Sequence, residues 1–212
     1  MLARLAICAL LAVSAPGAGA EPAPSLPKNA LPLPLIRQAT EYSCGVASLL
    51  SILYYWKAYD GGESSLYERL GTTPKDGTEP DKIAEVARSF GLSARLQEGA
   101  SVDDLRRALR AGETVVLDLQ AWRGEAAKKK AWKELWDEGH YVVLAGMDAT
   151  FLYAMDPSAA AGYAYLPISE FAERWHDYSD RGGKRRDFHN AAIFITGKVP
   201  LAGVPGPLVR ME

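Results

Sequence analysis

Cys44 is the residue whose type and position most clearly indicate chemistry in this sequence. It is one of two cysteines, and the other, Cys8, lies in an apolar N-terminal segment. Cys44 follows residues 38–43 (QATEYS) and comes just before a long apolar run. The N-terminus of a helix presents free N–H groups and a partial positive charge, which stabilise a thiolate over a thiol. Cys44 is therefore a candidate nucleophile, although a free cysteine is also often a buried, inert core residue.

A cysteine nucleophile needs a base and a group that orients the base. His140 opens the apolar run 140–146 (HYVVLAG), which places its ring at the mouth of a buried strand, and Asp156 follows the next apolar run. If the two runs pair as a hairpin, His140 and Asp156 approach each other at its open end, whereas Asp148 lies at the turn. Taken singly, His140 is also compatible with an ordinary strand end, and Asp156 with a turn-forming Asp-Pro.

Gln38 is the candidate donor to an oxyanion. Its side-chain amide can donate an N–H beside the backbone N–H of Cys44, and a surface loop is the alternative role. The remaining histidines, His176 and His189, are predicted at the end of a helix and before a strand, so we interpret both as structural. The sequence has no CxxC or HExxH motif, and no metal or cofactor is predicted.

The first 20 residues have the pattern of a secretory signal peptide. Arg4 precedes a short apolar run, and Ala18-Gly19-Ala20 forms a small-residue cleavage site. The run is shorter than the ~20 residues of a membrane span, so we expect a periplasmic or secreted protein with no stable membrane insertion after cleavage. The formal net charge of −2 gives no general argument for nucleic-acid binding. A solvated loop is predicted for the basic cluster Arg181, Lys184, Arg185 and Arg186.

Apolar periodicity predicts helices mostly first and strands mostly last, which indicates an α+β fold. A central buried helix is predicted over 45–58, with Ser43 as its cap. Capping signals at Thr78/Asp81 and Ser101/Asp104 predict two further helices, and a charged helix is predicted over 124–137 and a short one over 169–176. Strands are predicted over 92–97, 114–119, 140–146, 151–155, 163–166 and 191–196.

Proline and glycine content divides the chain. The proline-rich residues 21–34 are interpreted as an extended lead-in to one domain over 35–199. Residues 200–212, rich in proline and glycine, are interpreted as a peripheral tail.

Over about residues 35–176 the sequence resembles the C39 peptidase family. The resemblance implies a papain-like fold, in which an N-terminal helix carrying the cysteine packs on an antiparallel sheet carrying the histidine and aspartate. It also implies Cys44 as nucleophile, His140 as base, Asp156 as orienter and Gln38 as oxyanion donor. The residues that carry the resemblance are Gln38, Cys44-Gly45-Val46-Ala47-Ser48-Leu49, Gly77-Thr78, Gly139-His140-Tyr141-Val142-Val143-Leu144 and Met155-Asp156-Pro157.

Known members of that family include bacteriocin-processing domains that cut leader peptides after a Gly-Gly pair. We therefore expect an exported cysteine peptidase that cleaves an exported polypeptide, as a maturation factor of a secretion or functional-amyloid system whose components are candidate partners. The export signal and the Trp-rich stretch 121–138 set this chain apart from the processing domains, so double-glycine specificity stays open. The alternatives are a catalytically silent peptide-binding module and a thiol acyltransferase or amidase on the same fold.

Overall fold

The computed structural model describes residues 24–159, 162–203 and 207–211, so the predicted signal peptide lies outside the described residues. The helices are α1 (Cys44–Tyr55), α2 (Tyr67–Leu70), α3 (Pro80–Ser89), α4 (Val102–Arg110) and α5 (Ile168–Arg174). The strands are β1 (Ser93–Gln97), β2 (Thr114–Gln120), β3 (Gly139–Met147), β4 (Phe151–Met155), β5 (Tyr163–Pro167), β6 (His176–Arg181), β7 (Lys184–His189), β8 (Ala192–Thr196) and β9 (Leu208–Arg210).

A seven-stranded sheet organises these elements, in the order β1-β8-β2-β3-β4-β5-β9. Neighbouring strands run antiparallel, except that β9 pairs parallel to β5. Strands β6 and β7 form a separate antiparallel hairpin. The predicted α+β class is thus confirmed. No helix in the described part of the chain has the length and apolarity to cross a bilayer.

Helix α1 lies against one face of the sheet because its sequence is apolar on nearly every side. Val46, Leu49 and Ile52 are fully buried, in a cluster that also contains Val143 of β3. Ser48 Oγ donates to the carbonyl of Tyr141 at 3.1 Å, which ties the first turn of the helix to the start of β3. The opposite face of the sheet is covered by α4 and α5. The N-terminus of α1 therefore lies beside the first residues of β3.

Two of the predicted helix caps are wrong in detail. Ser43 occupies the N-cap of α1, but its hydroxyl exchanges hydrogen bonds with the backbone of Thr40 instead of capping the helix. Thr78 does not cap α3, whose N-cap is Glu79, because its hydroxyl lies 2.7 Å from the hydroxyl of Thr72. Ser101, by contrast, forms the predicted capping box.

The helix predicted over 124–137 is also wrong. The segment forms only two short 3₁₀ turns, Ala127–Lys129 and Trp132–Glu134. Trp132 is buried, and the Arg174 guanidinium lies 3.4 Å from the centroid of its ring. The apolar residues of the segment are concentrated near one end, so a helix would have no continuous face to bury, and the tertiary anchor decides the conformation.

Two further elements differ from the sequence-based expectations. The basic cluster is not an irregular loop: it belongs to the β6–β7 hairpin, whose turn is Gly182-Gly183 with positive φ at both residues. Residues 208–210, expected in a peripheral tail, form strand β9 at an edge of the sheet. The hairpin strands are mostly polar or charged, and β9 is only three residues long, which is why periodicity gave no strand signal for either element.

The lead-in segment packs onto the sheet in its second half. Leu31 donates its N–H to the carbonyl of Ala145 at 2.8 Å, and Tyr163 Oη donates to the carbonyl of Leu33. Leu31 and Leu33 are buried in the same cluster as α1. The chain is therefore anchored several residues before α1 begins.

Candidate active site

Cys44 is the first residue of α1, half-buried, with a free thiol. The residue that follows it has to be small. A Cβ on Gly45 would lie 2.7 Å from the Cβ of Thr78, so the loop at Thr78 packs directly against the backbone behind the thiol. Thr78 is fixed in turn, because its carbonyl accepts a hydrogen bond from Tyr141 Oη at 3.0 Å. The close packing of Gly45 against Thr78 thus sets where α1 begins.

His140 and Asp156 meet at the open end of the hairpin formed by β3 and β4. The two strands pair antiparallel, with Val143 opposite Met155. His140 Nε2 lies 2.7 Å from Asp156 Oδ1, and both side chains are buried. The ring nitrogen left for Cys44 is therefore Nδ1. Asp148 lies at the far end of the hairpin, where it accepts hydrogen bonds from its own turn.

The charges of this pair support each other. Burial alone would lower the pKa of His140, but the Asp156 carboxylate, and after it the Cys44 side chain, raise that pKa to about 10. Burial alone would raise the pKa of Asp156, and the neighbouring His140 outweighs it, so the carboxyl pKa lies below its usual range. The pair is therefore an imidazolium and a carboxylate at neutral pH, next to the thiol.

Trp122 has a role that the sequence reasoning did not assign to it: the sequence suggested the Trp122–Trp136 region only as a candidate wall of the cleft. Its Nε1 donates to Asp156 Oδ2 at 2.9 Å, and the backbone N–H of Ser158 donates to the other carboxylate oxygen at 2.7 Å. Trp122 adopts φ of 58°, a region that costs a non-glycine residue about 1–2 kcal/mol. A strained backbone that aims an indole N–H at the carboxylate has no local sequence signal.

Gln38 lies beside the turn that carries Asp156. Its backbone N–H donates to the Pro157 carbonyl at 3.1 Å, and its Oε1 accepts from Ser158 Oγ at 3.1 Å. Its Nε2 donates to the Thr40 carbonyl at 2.8 Å, in the turn that leads to Cys44. A primary amide has two N–H groups, so the second is available to another acceptor. The structure thus links Gln38 to the segments of both Asp156 and Cys44.

A cavity of about 190 Å³ opens beside Cys44. Asp118 and Asp177 line it, together with Gly139 and Tyr141. Asp118 is also missing from the sequence-based site, although a carboxylate inside the apolar run 114–119 was a usable signal. A second cavity, of about 310 Å³, shares Gly139 and Asp177 with the first and extends to Trp136 and Asp137.

The remaining histidines lie on the β6–β7 hairpin. His176 and His189 are opposite each other in its register, and the ring of Trp136 packs against both. His176 Nε2 lies 2.7 Å from the Leu135 carbonyl. Within the described residues, no group of three or more His, Cys, Asp or Glu side chains could hold a metal ion.

Comparisons with known proteins agree with this architecture. A search of curated proteins found no match. Among solved structures, a double glycine motif protease from an AMS/PCAT transporter, in complex with its leader peptide, superposes with a TM-score of 0.52 at 19% identity, covering 80% of this chain and 96% of that one. A Bacillus anthracis protein described as a C39-like peptidase gives a TM-score of 0.57 at 18% identity, over 78% and 95%.

The peptidase domain of Streptococcus ComA, a bifunctional ABC transporter, gives a TM-score of 0.52 at 18% identity, with 77% of this chain and 98% of that one covered. At such identities the likeness shows the fold, which is the expected papain-like one. The family model described as "Peptidase C39 family" matches residues 32–179. With that match over most of its length and a fold shared with C39 peptidase domains, the chain belongs to the Peptidase C39 family.

Proposed function

We propose that this chain is an exported cysteine peptidase in which Cys44 is the nucleophile. The observation that carries the proposal is the buried His140–Asp156 hydrogen bond of 2.7 Å placed beside the thiol at the start of α1. A histidine hydrogen-bonded to a carboxylate and placed beside a half-buried cysteine is the arrangement that activates a thiol as a nucleophile. Gln38 is the proposed side-chain donor to the oxyanion.

The proposed reaction proceeds through an acyl-enzyme. The Cys44 thiolate attacks the scissile carbonyl carbon, and the oxyanion that forms accepts hydrogen bonds from the backbone N–H of Cys44 and the free amide N–H of Gln38. The C–N bond then breaks as His140 gives its proton to the leaving amine. A water molecule attacks the thioester, His140 takes the water proton, and the C–S bond breaks to release the acid. Asp156 holds the ring orientation and stabilises the imidazolium throughout.

The substrate we propose is an exported polypeptide that presents an extended, flexible segment. A peptide has to be extended for its carbonyl to reach both the thiol and the oxyanion donors. The complex of a related protease domain with a leader peptide supports a polypeptide substrate. The signal-peptide pattern of residues 1–20 supports action in the periplasm or outside the cell. A role as maturation factor of a secretion or functional-amyloid system belongs to the same proposal.

The test uses protein purified from expression of the full chain, incubated with secreted proteins of its own organism. New N-termini are mapped by mass spectrometry and compared with those from a Cys44→Ser variant. We expect specific new termini that require Cys44. Stable capture of one polypeptide without cleavage, unchanged in Cys44→Ser, would contradict the proposal and identify a binding module instead. Acylated or deamidated products without new termini would identify an acyltransferase or amidase.

A further inference from the structure

The cavity beside Cys44 is lined by the carboxyl group of Asp118, one oxygen of which lacks a hydrogen-bond partner among the described residues. Asp118 lies on β2, opposite Tyr141 of β3, and only 3% of its surface is exposed. Its Oδ1 is buried and has no hydrogen-bond partner. Asp118 nevertheless lines the same cavity as the thiol. A buried carboxylate is costly unless hydrogen bonds or an opposite charge compensate it, so this oxygen calls for a donor from outside the described residues.

A second carboxylate, that of Asp177, lies next to the first. Its side chain packs on Gly139, where a Cβ would come within 2.7 Å of the Asp177 Cγ, so only glycine at 139 leaves room for it. Its Oδ1 accepts a hydrogen bond of 3.2 Å from Gln120 Nε2. Asp118, Tyr141 and Asp177 are called the acidic pocket below.

No cation of the described residues forms an ion pair with either carboxylate of the acidic pocket. Lys75, which lines the second cavity, already has an acidic partner, since it lies 3.7 Å from Asp76. Arg181, on the same hairpin as Asp177, lies 3.1 Å from Glu79. Burial, followed by the charge of Asp177, raises the pKa of Asp118, and burial also raises the pKa of Asp177. Within the described part of the chain, the pocket therefore combines two carboxyl groups that have no cationic partner with an oxygen that has no donor, and a ligand cation would compensate both.

We propose that the acidic pocket binds an ammonium or guanidinium group of the substrate, so that the substrates are polypeptides with a basic group at a fixed distance from the scissile bond. The inference deepens the proposed peptidase function and rests on it. Because Asp118 is buried and lines a cavity of only about 190 Å³, a long flexible side chain such as lysine or arginine suits the pocket better than a bulky one. A free N-terminal amine has the same chemistry and is the other source of the cation.

The first experiment measures occupancy without any turnover. Cys44 is alkylated with iodoacetamide, and the rate is followed by intact mass over increasing concentrations of n-butylammonium chloride. The matched neutral probe is butan-1-ol with the same concentration of NaCl. We expect the cation to slow alkylation and the neutral probe to have little effect. Equal effects of the two probes, or none from either, would overturn the proposal.

Variants assign the effect to the acidic pocket. In Asp118→Asn the concentration of n-butylammonium that gives half-protection should rise at least about 10-fold, since a charge-assisted hydrogen bond is lost. Asp177→Asn is the second variant, in case Asp118→Asn does not fold. Asp103→Asn, on the exposed surface of α4, is the control and should leave half-protection unchanged. Unchanged protection in both pocket variants would mean that the two carboxylates are a proton-sharing structural pair only.

The second experiment identifies the source of the cation. Cleavage sites mapped in secreted proteins should show lysine or arginine enriched at one position relative to the cut, and Asp118→Asn should lose that enrichment. If the source is the N-terminal amine, acetylating the substrate terminus should abolish cleavage while replacing lysine with norleucine has no effect. Protection by n-butylammonium without any peptide cleavage would support the acidic pocket as a cation site and contradict the peptidase function. Peptide cleavage without protection by n-butylammonium would support the peptidase function and contradict the acidic pocket as a cation site.

Discussion

The side chains at the start of α1 and β3 form a small charge network with Asp156 at its centre. Asp156 accepts hydrogen bonds from His140, from Trp122 and from the backbone of Ser158. Hydrogen bonds to a charged group contribute about 1.5–3 kcal/mol each. This explains how a nearly fully buried carboxylate stays ionised and keeps the His140 ring directed at Cys44.

Asp156→Asn should move the alkaline limit of activity to lower pH. Burial opposes the charged form of His140, and the carboxylate is what raises its pKa to about 10. The imidazolium is present below the pKa and lost above it, so an amide at 156 should shift the alkaline limb of kcat/KM down by at least about one pH unit. Asp148→Asn is the matched control. An alkaline limb that stays at the same pH in Asp156→Asn would contradict the role of Asp156 as the orienter of His140.

Trp122→Phe should lower kcat with little change in KM. The ring is kept and only the N–H that holds Asp156 is lost, which costs about 1 kcal/mol, or roughly fivefold in rate. Because the carboxylate loses a donor, the alkaline limb of the pH profile should also move. A melting temperature near that of the parent protein would separate this positioning role from a loss of folding. A rise in KM with unchanged kcat would contradict the positioning role of Trp122.

At the scale of elements, α1 has to start at one place, because Gly45 packs on Thr78 without space for a side chain. Gly45→Ala should therefore reduce activity by at least about tenfold while destabilising the fold by about 1–3 kcal/mol. Gly62→Ala is the control, since a Cβ there would meet nothing within 4 Å. Kinetics and urea unfolding measure the two effects. Full activity in Gly45→Ala would mean that α1 tolerates the shift.

Elements with strong apolar patterns were predictable from the sequence, and so was the meeting of His140 with Asp156. That geometry follows from the pairing of β3 with β4, since one short turn fixes which ends lie together.

The 124–137 segment was not predictable, because buried contacts of Trp132 decide its conformation and helix propensity does not. The β6–β7 hairpin was not predicted because its strands are mostly charged. The position of Asp177, which lies on β6, was therefore not predicted either. The position of Trp122 depends on a strained backbone, which periodicity does not reveal.

At the scale of the whole molecule, the acidic pocket should make stability depend on pH. A carboxyl whose pKa is raised in the folded state stabilises fully below its unfolded pKa of about 3.8, and that contribution is lost as pH rises towards the folded pKa. The unfolded chain gives up this proton first. Parent and Asp118→Asn should therefore differ little near pH 3, and the variant should be the more stable near pH 7.

Urea unfolding of both proteins over this pH range measures the difference. The lowered pKa of Asp156 acts in the opposite direction below pH 4, but it is common to both proteins and cancels in the comparison. The raised pKa of His140 begins to lower stability once pH rises past the unfolded value of 6.5, and this change too is common to both proteins and cancels in the comparison. A parent protein that is more stable than Asp118→Asn at neutral pH would show that Asp118 is ionised and compensated there.

The anchoring of the lead-in segment on the sheet limits how far the domain could lie from a membrane while the predicted signal peptide is attached. Only residues 21–25 separate the predicted signal peptide from Leu26, which already packs against the core cluster, and five residues span at most about 18 Å. Before signal cleavage the domain would be tethered at the bilayer, within reach of polypeptides as they emerge. After cleavage it would diffuse freely. If residues 1–20 are removed as the pattern predicts, the cleavage would change which polypeptides the domain encounters without any change in the candidate active site.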